Sequence, residues 1–254
     1  MGLLDVDKLC MTFGGLRAVW NLSFSVVEGE ILGMIGPNGS GKTTVFNIIT
    51  GIYKPKQGRV HFRQRLISGL PPYRISPLGI SRTFQNIRLF QNMSVLHNVL
   101  VGMHARLTNP LFAGFSSQES RRLRRARVLE QAQELLAFGG LAEKGGEMAA
   151  NLSYGEQRRL ELVRAMASLP KILLLDEPTA GMNPQEAKGM MHLIQSIRNR
   201  GITLFLVEHN MKVLMGVSDR VIVLDAGEQI AEGAPQAIQR NPEVIRAYLG
   251  TEQP

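Results

Sequence analysis

The sequence predicts an α/β fold with a mainly parallel sheet, an N-terminal antiparallel β segment and an inserted α-helical subdomain. Three observations predict it. Short apolar runs at 31–35, 172–175 and 202–207 alternate with stretches of helical periodicity at 43–50 and 184–199, and strands that alternate with helices imply a parallel sheet. Residues 3–30 read as strands. Residues 93–150 carry helical spacing without strand signals.

In the first segment Leu22, Phe24 and Val26 alternate with Ser23 and Ser25, the period of a half-exposed strand, and Gly14-Gly15 marks a turn ahead of it. Ile31 to Ile35 ends in a glycine-rich loop, and helical spacing from Thr43 to Thr50 follows. The stretch Gly51 to Gly79, rich in Gly, Pro and Arg, predicts short strands and turns. Leu96, Val99, Leu100 and Met103 predict one inserted helix, and Leu129, Ala132, Leu135 and Leu136 another, with helix expected to continue to about Ala150. A loop at 109–117, holding Pro110 and Gly114, separates the two. Ser153 opens a further helix with Glu156 three residues on as a capping box, and Pro170 lies beyond its end. A hairpin is expected from Arg220 to Leu224 and Glu228 to Ala231, turning at Asp225-Ala226-Gly227. The whole, 1–254, reads as a single domain whose core is 1–84 with 168–254 and whose helical subdomain is 85–167.

The 254 residues suffice for a sizeable core. No apolar run approaches the roughly 18–20 residues that span a bilayer, so no transmembrane segment is expected. Met1 to Lys8 has no basic region followed by an apolar stretch, the pattern of a secretory signal. The lone Cys10 excludes an internal disulfide and reads as a small core hydrophobe. A net charge of +8 points to a polyanionic partner: a nucleotide, nucleic acid or an anionic membrane surface. Arg121, Arg122, Arg124, Arg125 and Arg127 cluster, but 100° per residue scatters them around a helix rather than along a stripe. They read as a solvated helix, with lipid headgroups or an acidic partner surface as the alternative; nucleic acid is not expected as a partner.

Three motifs carry the chemistry, in fixed order: Gly36-Pro37-Asn38-Gly39-Ser40-Gly41-Lys42-Thr43, Leu152-Ser153-Tyr154-Gly155-Glu156-Gln157, and Ile172-Leu173-Leu174-Leu175-Asp176-Glu177. In the first, Gly36, Gly39 and Gly41 let backbone amides close around phosphates, and the following helix N-terminus adds positive charge. Lys42 is expected on the β- and γ-phosphates and the Thr43 hydroxyl on Mg²⁺. Asp176, ending an apolar strand, is placed at the C-terminal sheet edge to hold Mg²⁺. Glu177 is then the candidate to polarise an attacking water. His209 follows another such strand and is a candidate γ-phosphate contact, whereas His61, His97, His104 and His192 lack that context.

Together these motifs resemble the ATP-binding-cassette ATPases over nearly the whole chain. The resemblance implies a P-loop NTPase (RecA-like) core, ATP and Mg²⁺ as cofactors, and nucleotide-binding positions at Phe13, Gly36, Pro37, Asn38, Gly39, Ser40, Gly41, Lys42, Thr43, Thr44, Ser153, Gly155 and Glu156. It implies that Leu152–Gln157 is the signature motif, which meets the γ-phosphate of ATP held by an opposite subunit. The commoner family form has Gly at Tyr154 and Gln at Glu156. Gln85, within Arg-Thr-Phe-Gln, matches the glutamine that senses Mg²⁺ and the attacking water; Phe13 matches the adenine-stacking aromatic; Ala180 to Asn183 matches a loop that crosses the dimer interface. Glu177, His209, Gln85 and Lys42 would be the catalytic set, and Thr43, Gln85 and Asp176 the metal set.

Arg88-Leu89-Phe90, the Leu-Ser-Tyr-Gly-Glu-Gln form and the ending Asn241 to Gly250 are similar to the ATPase subunits of high-affinity branched-chain amino acid importers. That kinship implies a peripheral ATPase on the cytoplasmic face of the cell membrane, paired with a second cassette ATPase as a homo- or heterodimer. Its partners would be two membrane permease subunits, docked between Gln85 and about Leu111, and indirectly a periplasmic solute-binding protein. Alternatives are the same role for urea or short amides, a lipopolysaccharide-type exporter ATPase, and a non-transport cassette ATPase.

Overall fold

Two long strands open the chain, β1 (Leu4–Phe13) and β2 (Leu16–Val26), paired antiparallel from Leu4↔Val26 to Phe13↔Leu16. The computed structural model describes residues 2–107 and 118–249. On the far side of β1 lies β4 (Gln57–Phe62), followed by the two-residue β5 (Arg65–Leu66), giving a four-stranded antiparallel sheet in the order β2-β1-β4-β5. Leu22, Phe24 and Val26 are buried as the alternation requires.

The second sheet runs β10 (Glu228–Gly233), β9 (Arg220–Asp225), β3 (Ile31–Ile35), β8 (Thr203–Val207), β7 (Ile172–Asp176) and β6 (Ile80–Arg82). Every pair in it is parallel except the β9–β10 hairpin. Strands β3, β7 and β8 are buried at every residue, because helices and the other sheet cover both faces, and such strands read as apolar runs without alternation. Phe205 on β8 ties the core together. Its ring meets Phe24 of β2 at 5.5 Å and Phe46 of α1 (Lys42–Ile49) at 4.9 Å, both edge-on. Each such ring removed from water contributes roughly 1.5–3 kcal/mol.

The described residues divide into two compact units, residues 1–82 with 171–254, and residues 83–170. The second contains α3 (Val95–Leu107), α4 (Gln118–Phe138) and α5 (Tyr154–Met166) around a core of its own that includes Val99, Met103, Leu136, Leu160 and Val163. Gly102 permits the close crossing of α3 over α5, since a Cβ there would be driven into the Arg164 carbonyl.

Two expectations about elements need correction. Helix does not continue from 93 to 150. It breaks at Gly139-Gly140, with Gly140 at φ 71°, and residues 139–151 form turns and two single 3₁₀ turns, Ala142–Lys144 and Ala149–Asn151. A second Gly pair, Gly145-Gly146, keeps the chain from resuming a helix. The 51–79 stretch contains, besides strands, a helical turn α2 (Pro72–Ile75), where Pro72 at the first helical position fits its fixed φ. Helix α6 (Pro184–Asn199) has its expected bounds. Not foreseen were β6 and two short helices, α7 (Met211–Val217) and α8 (Pro235–Gln239); the tail, where Val244, Ile245 and Tyr248 give a helical stripe, forms α9 (Pro242–Leu249). The expected loop at 109–117, the upper end of the 85–111 docking segment, the Arg121 side chain and Gly250 lie outside the described residues; Arg122, Arg124, Arg125 and Arg127 are exposed on α4. Among the described residues no helix is long and apolar enough to cross a membrane.

Candidate active site

Strand β3 ends at Ile35, the loop Gly36–Gly41 turns, and α1 begins at Lys42. Gly41 holds φ 101°, and a Cβ on it would overlap the Ala18 carbonyl of β2, so only glycine serves there. It offers no side-chain cap to the helix, and the first-turn amides of α1 are therefore available to an anion. Asn38 and Gly39 are at the surface with Thr43, Pro37 and Thr44 are partly covered, and Ser40 is buried. The Lys42 ammonium is folded back into the loop. It donates to Gly36 O at 2.7 Å, Pro37 O at 2.9 Å and Ser40 Oγ at 3.3 Å. Burial lowers its pKa, opposed by the nearby carboxylates of Glu177 and Asp176. The loop thus holds a desolvated cation on neutral acceptors, which an arriving phosphate can better satisfy.

Asp176, the last residue of β7, pairs with Val207 of β8 and is buried. Its Oδ2 accepts from Arg82 Nη2 at 2.7 Å, the side chains being 3% and 6% exposed. Arg82, at the end of β6, also donates to Asn47 Oδ1 at 2.7 Å and Thr50 Oγ1 at 3.3 Å on α1, and lies 5.4 Å from the Phe46 ring. Sequence reasoning missed this arginine. Removing one partner of a buried pair leaves the other uncompensated, so Arg82→Met should lower stability by about 3 kcal/mol. In a domain of this size that is a thermal midpoint roughly 6–12 °C lower. A midpoint within about 2 °C of the parent would show that the pair adds nothing.

Glu177 sits at φ 50°, in the left-handed region where a non-glycine residue stores about 1–3 kcal/mol of strain. Its amide is held by Val207 O at 2.9 Å, and its Oε2 lies 3.0 Å from Nε2 of the half-exposed His209. The neighbouring Glu208 points the other way. It is buried, accepts from Thr179 N at 2.9 Å and Thr179 Oγ1 at 2.6 Å, and burial raises its carboxyl pKa. It anchors the turn after β7 to the end of β8; strand alternation beside His209 was the signal that could have found it. Asn183, expected at an interface loop, caps α6 by accepting from the amides of Gln185 and Glu186, both at 3.0 Å. Phe13, at the end of β1, is 41% exposed and meets Tyr53 edge-on at 5.2 Å.

Among the described residues no group of three or more His, Cys, Asp or Glu could hold a metal. Of the three expected metal ligands, Thr43 and Asp176 belong to the first unit and offer a hydroxyl and a carboxylate, hard oxygen donors. They fit Mg²⁺, which takes few protein ligands and completes its shell with phosphates and water.

The second unit carries the remaining candidates. Ser153 caps α5 and, with Glu156, closes the expected capping box: Glu156 N donates to Ser153 Oγ at 3.4 Å, and Ser153 N to Glu156 Oε2 at 3.0 Å. Lys144 sits 2.7 Å from Glu156 and, with the Ser153 bonds, lowers its pKa. Gly155 is buried in the first turn while Ser153 and Tyr154 are exposed. Gln85 is exposed in the loop between β6 and α3.

A phosphate loop, a strand-end Asp-Glu pair and a serine-capped signature helix occur together in this one chain, and a family model described as ABC transporter matches residues 19–180. The chain belongs to the ABC transporter family. A second model, branched-chain amino acid ATP-binding cassette transporter, matches residues 228–253. The high-affinity branched-chain amino acid transport ATP-binding protein LivG of Salmonella typhimurium (strain LT2) is 48% identical over 249 residues, 98% of each chain. Among solved structures, the ADP conformation of MJ1267, an ATP-binding cassette of an ABC transporter, superposes with a TM-score of 0.84 at 31% identity, covering 98% of this chain and 99% of that one. The dimeric post-hydrolysis structure of the ATP-binding cassette MJ0796, bound to ADP and Pi, gives 0.74 at 26% identity, with 91% and 98% covered. ATP hydrolysis is the general activity of the family to which the chain belongs.

Proposed function

We propose that this chain is the ATP-hydrolysing subunit of a branched-chain amino acid importer, peripheral on the cytoplasmic face of the membrane and working through separate permease subunits. The observation that carries the reading is the 48% identity to LivG across 98% of both chains. Two cassettes, two copies of this chain or this chain and a related one, close on two ATP molecules. In each site one cassette supplies the loop Gly36–Thr44, Asp176, Glu177, His209 and Gln85, with Phe13 stacking on adenine. The other supplies Ser153, Gly155 and Glu156 at the start of its α5. The dimeric MJ0796 cassette supports that arrangement.

The chemistry follows from charge and positioning. The phosphates occupy the amides at the start of α1, and Lys42 exchanges its loop carbonyls for phosphate oxygens. Thr43 and Asp176 would hold Mg²⁺, which when bound would offset phosphate charge. A water aligned by Glu177 attacks the γ-phosphorus, its proton passes to the Glu177 carboxylate, the bond to the β-phosphate oxygen breaks, and ADP leaves. His209, hydrogen-bonded to Glu177, holds that carboxylate in place and faces the γ-phosphate.

The substrate is tested by uptake of radiolabelled leucine and urea in the source cell with the gene deleted. Leucine uptake should fall and return with the parent gene but not with Lys42→Ala. Normal leucine uptake alongside lost urea uptake would replace the amino acid by an amide as the transported solute.

A further inference from the structure

Between β6 and α3 the loop at Phe84–Arg88 forms no strand or helix, and two side chains of α5 bind its backbone. Arg158 donates through Nη1 to Phe84 O at 2.8 Å and through Nη2 to Gln85 O. Glu161 accepts from Phe84 N at 3.4 Å and from Arg88 N at 3.3 Å. Both side chains are buried, at 3% and 2% exposure, and approach each other to 3.5 Å. Backbone groups on both sides of Gln85 are therefore held by one helix face.

The same guanidinium is held from its other edge. Tyr154 Oη accepts from Arg158 Nε at 3.2 Å and from Nη2 at 2.9 Å, and the Arg158 guanidinium lies 5.4 Å from the tyrosine ring. Residues 154 and 158 are one turn apart on a helix face. Tyr154 sits between Ser153 and Gly155, at the position where the commoner signature has Gly, which has no hydroxyl to offer. A glycine there would leave Arg158 N–H donors unsatisfied in a buried site.

We propose that Tyr154 is a positioning residue that, through Arg158, couples the signature motif to Gln85. The proposal rests on the reading above, in which Ser153 and Gly155 meet the phosphate held by the opposite cassette and Gln85 serves its own cassette's site. Engagement of the opposite phosphate moves the first turn of α5. Tyr154 moves with it, and Arg158, fixed to the tyrosine at one edge and to two carbonyls at the other, carries that displacement into the Gln85 backbone. A rigid hydrogen-bonded arm between two sites is the physical form such coupling requires.

Hydrogen–deuterium exchange on the full chain carrying Glu177→Gln, with and without Mg-ATP, tests it, following peptides over 83–89 and 152–158. Mg-ATP should slow exchange in both. Adding Tyr154→Phe, which keeps the ring and loses only the acceptor, should preserve slowing at 152–158 and abolish it at 83–89. Arg158→Lys, which keeps charge but loses the fork, should behave likewise. With Glu177 restored, Tyr154→Phe should lower kcat about tenfold, the scale of a lost hydrogen bond to a charged group. The KM for ATP should stay within about twofold, and kcat is referred to ATP-binding sites counted by stoichiometric titration, because loss of folded protein alone would also lower the rate at constant KM. Slowing at 83–89 in Tyr154→Phe equal to the parent's, an unchanged kcat, or loss of slowing at both peptides would overturn the relay. No slowing at 152–158 in the parent, measured as its Mg-ATP-dependent dimer or, where it forms none, in complex with its co-purified partner cassette, would overturn the opposite-phosphate reading itself, and the relay with it.

Discussion

Glu177→Gln is expected to bind ATP as the parent does and to hydrolyse it at least about 10²-fold more slowly, the contribution of a positioned general base. The carboxylate is fixed by three constraints: a left-handed backbone at φ 50°, a hydrogen bond donated by the Glu177 backbone N–H to Val207 O, and the 3.0 Å contact to His209. Glutamine is isosteric and can keep the backbone and a hydrogen bond to the imidazole, but it cannot take a proton. Binding is untouched because the phosphate loop and Lys42 are unchanged. With hydrolysis blocked, ATP persists between cassettes, so size-exclusion chromatography of Glu177→Gln should show an Mg-ATP-dependent shift from monomer to dimer. Rapid steady-state turnover by the variant would remove Glu177 from the role. Slow turnover with no shift would mean that this cassette closes only against a different subunit, and co-purification from the source membrane would then identify it.

The parts of this molecule legible in its sequence are those whose causes are local. Strands β3, β7 and β8 stand out because burial on both faces makes four or five consecutive residues non-polar, Ile31–Ile35, Ile172–Leu175 and Leu204–Val207. Helix α6 is bounded correctly because Asn183, Pro184 and Glu186 encode its start within four positions. Residues 139–151 were expected as helix because Leu141, Ala149 and Leu152 feed the helical unit's core, and buried apolar residues look alike in a turn and a helix. The Gly139-Gly140 and Gly145-Gly146 pairs were the contrary signal. Strand β6 has three residues, too few for a period to show. At the site, the motif residues are adjacent in sequence and visible. The groups that hold them are not, because Arg82 meets Asp176 across 94 positions and Arg158 meets Gln85 across 73. A lone arginine gives no sign of which distant carboxylate or carbonyl it will find.

Lys42→Ala should weaken ATP binding by about 10²-fold, because a charge-assisted hydrogen bond to phosphate contributes roughly 1.5–3 kcal/mol. The argument turns on what Lys42 does without a nucleotide. Its ammonium is buried in the bend of the loop, on the carbonyls of Gly36 and Pro37, with burial lowering its pKa and the Asp176 and Glu177 carboxylates opposing that. A cation so placed is under-solvated, and phosphate relieves it; alanine removes both the cost and the attraction. The change should leave the fold nearly intact, since the loop's path is set by Gly41 against Ala18 and by Ser40 N bonded to Pro37 O at 3.2 Å rather than by the lysine. Titration with a fluorescent ATP analogue, beside thermal melts of both proteins, separates the two effects. Weak binding with a midpoint within about 2 °C of the parent is the expected pair of results. Unchanged affinity would mean that the amides of α1 carry the phosphates alone, and a collapse of the midpoint would make Lys42 a strut of the loop instead of a ligand to ATP.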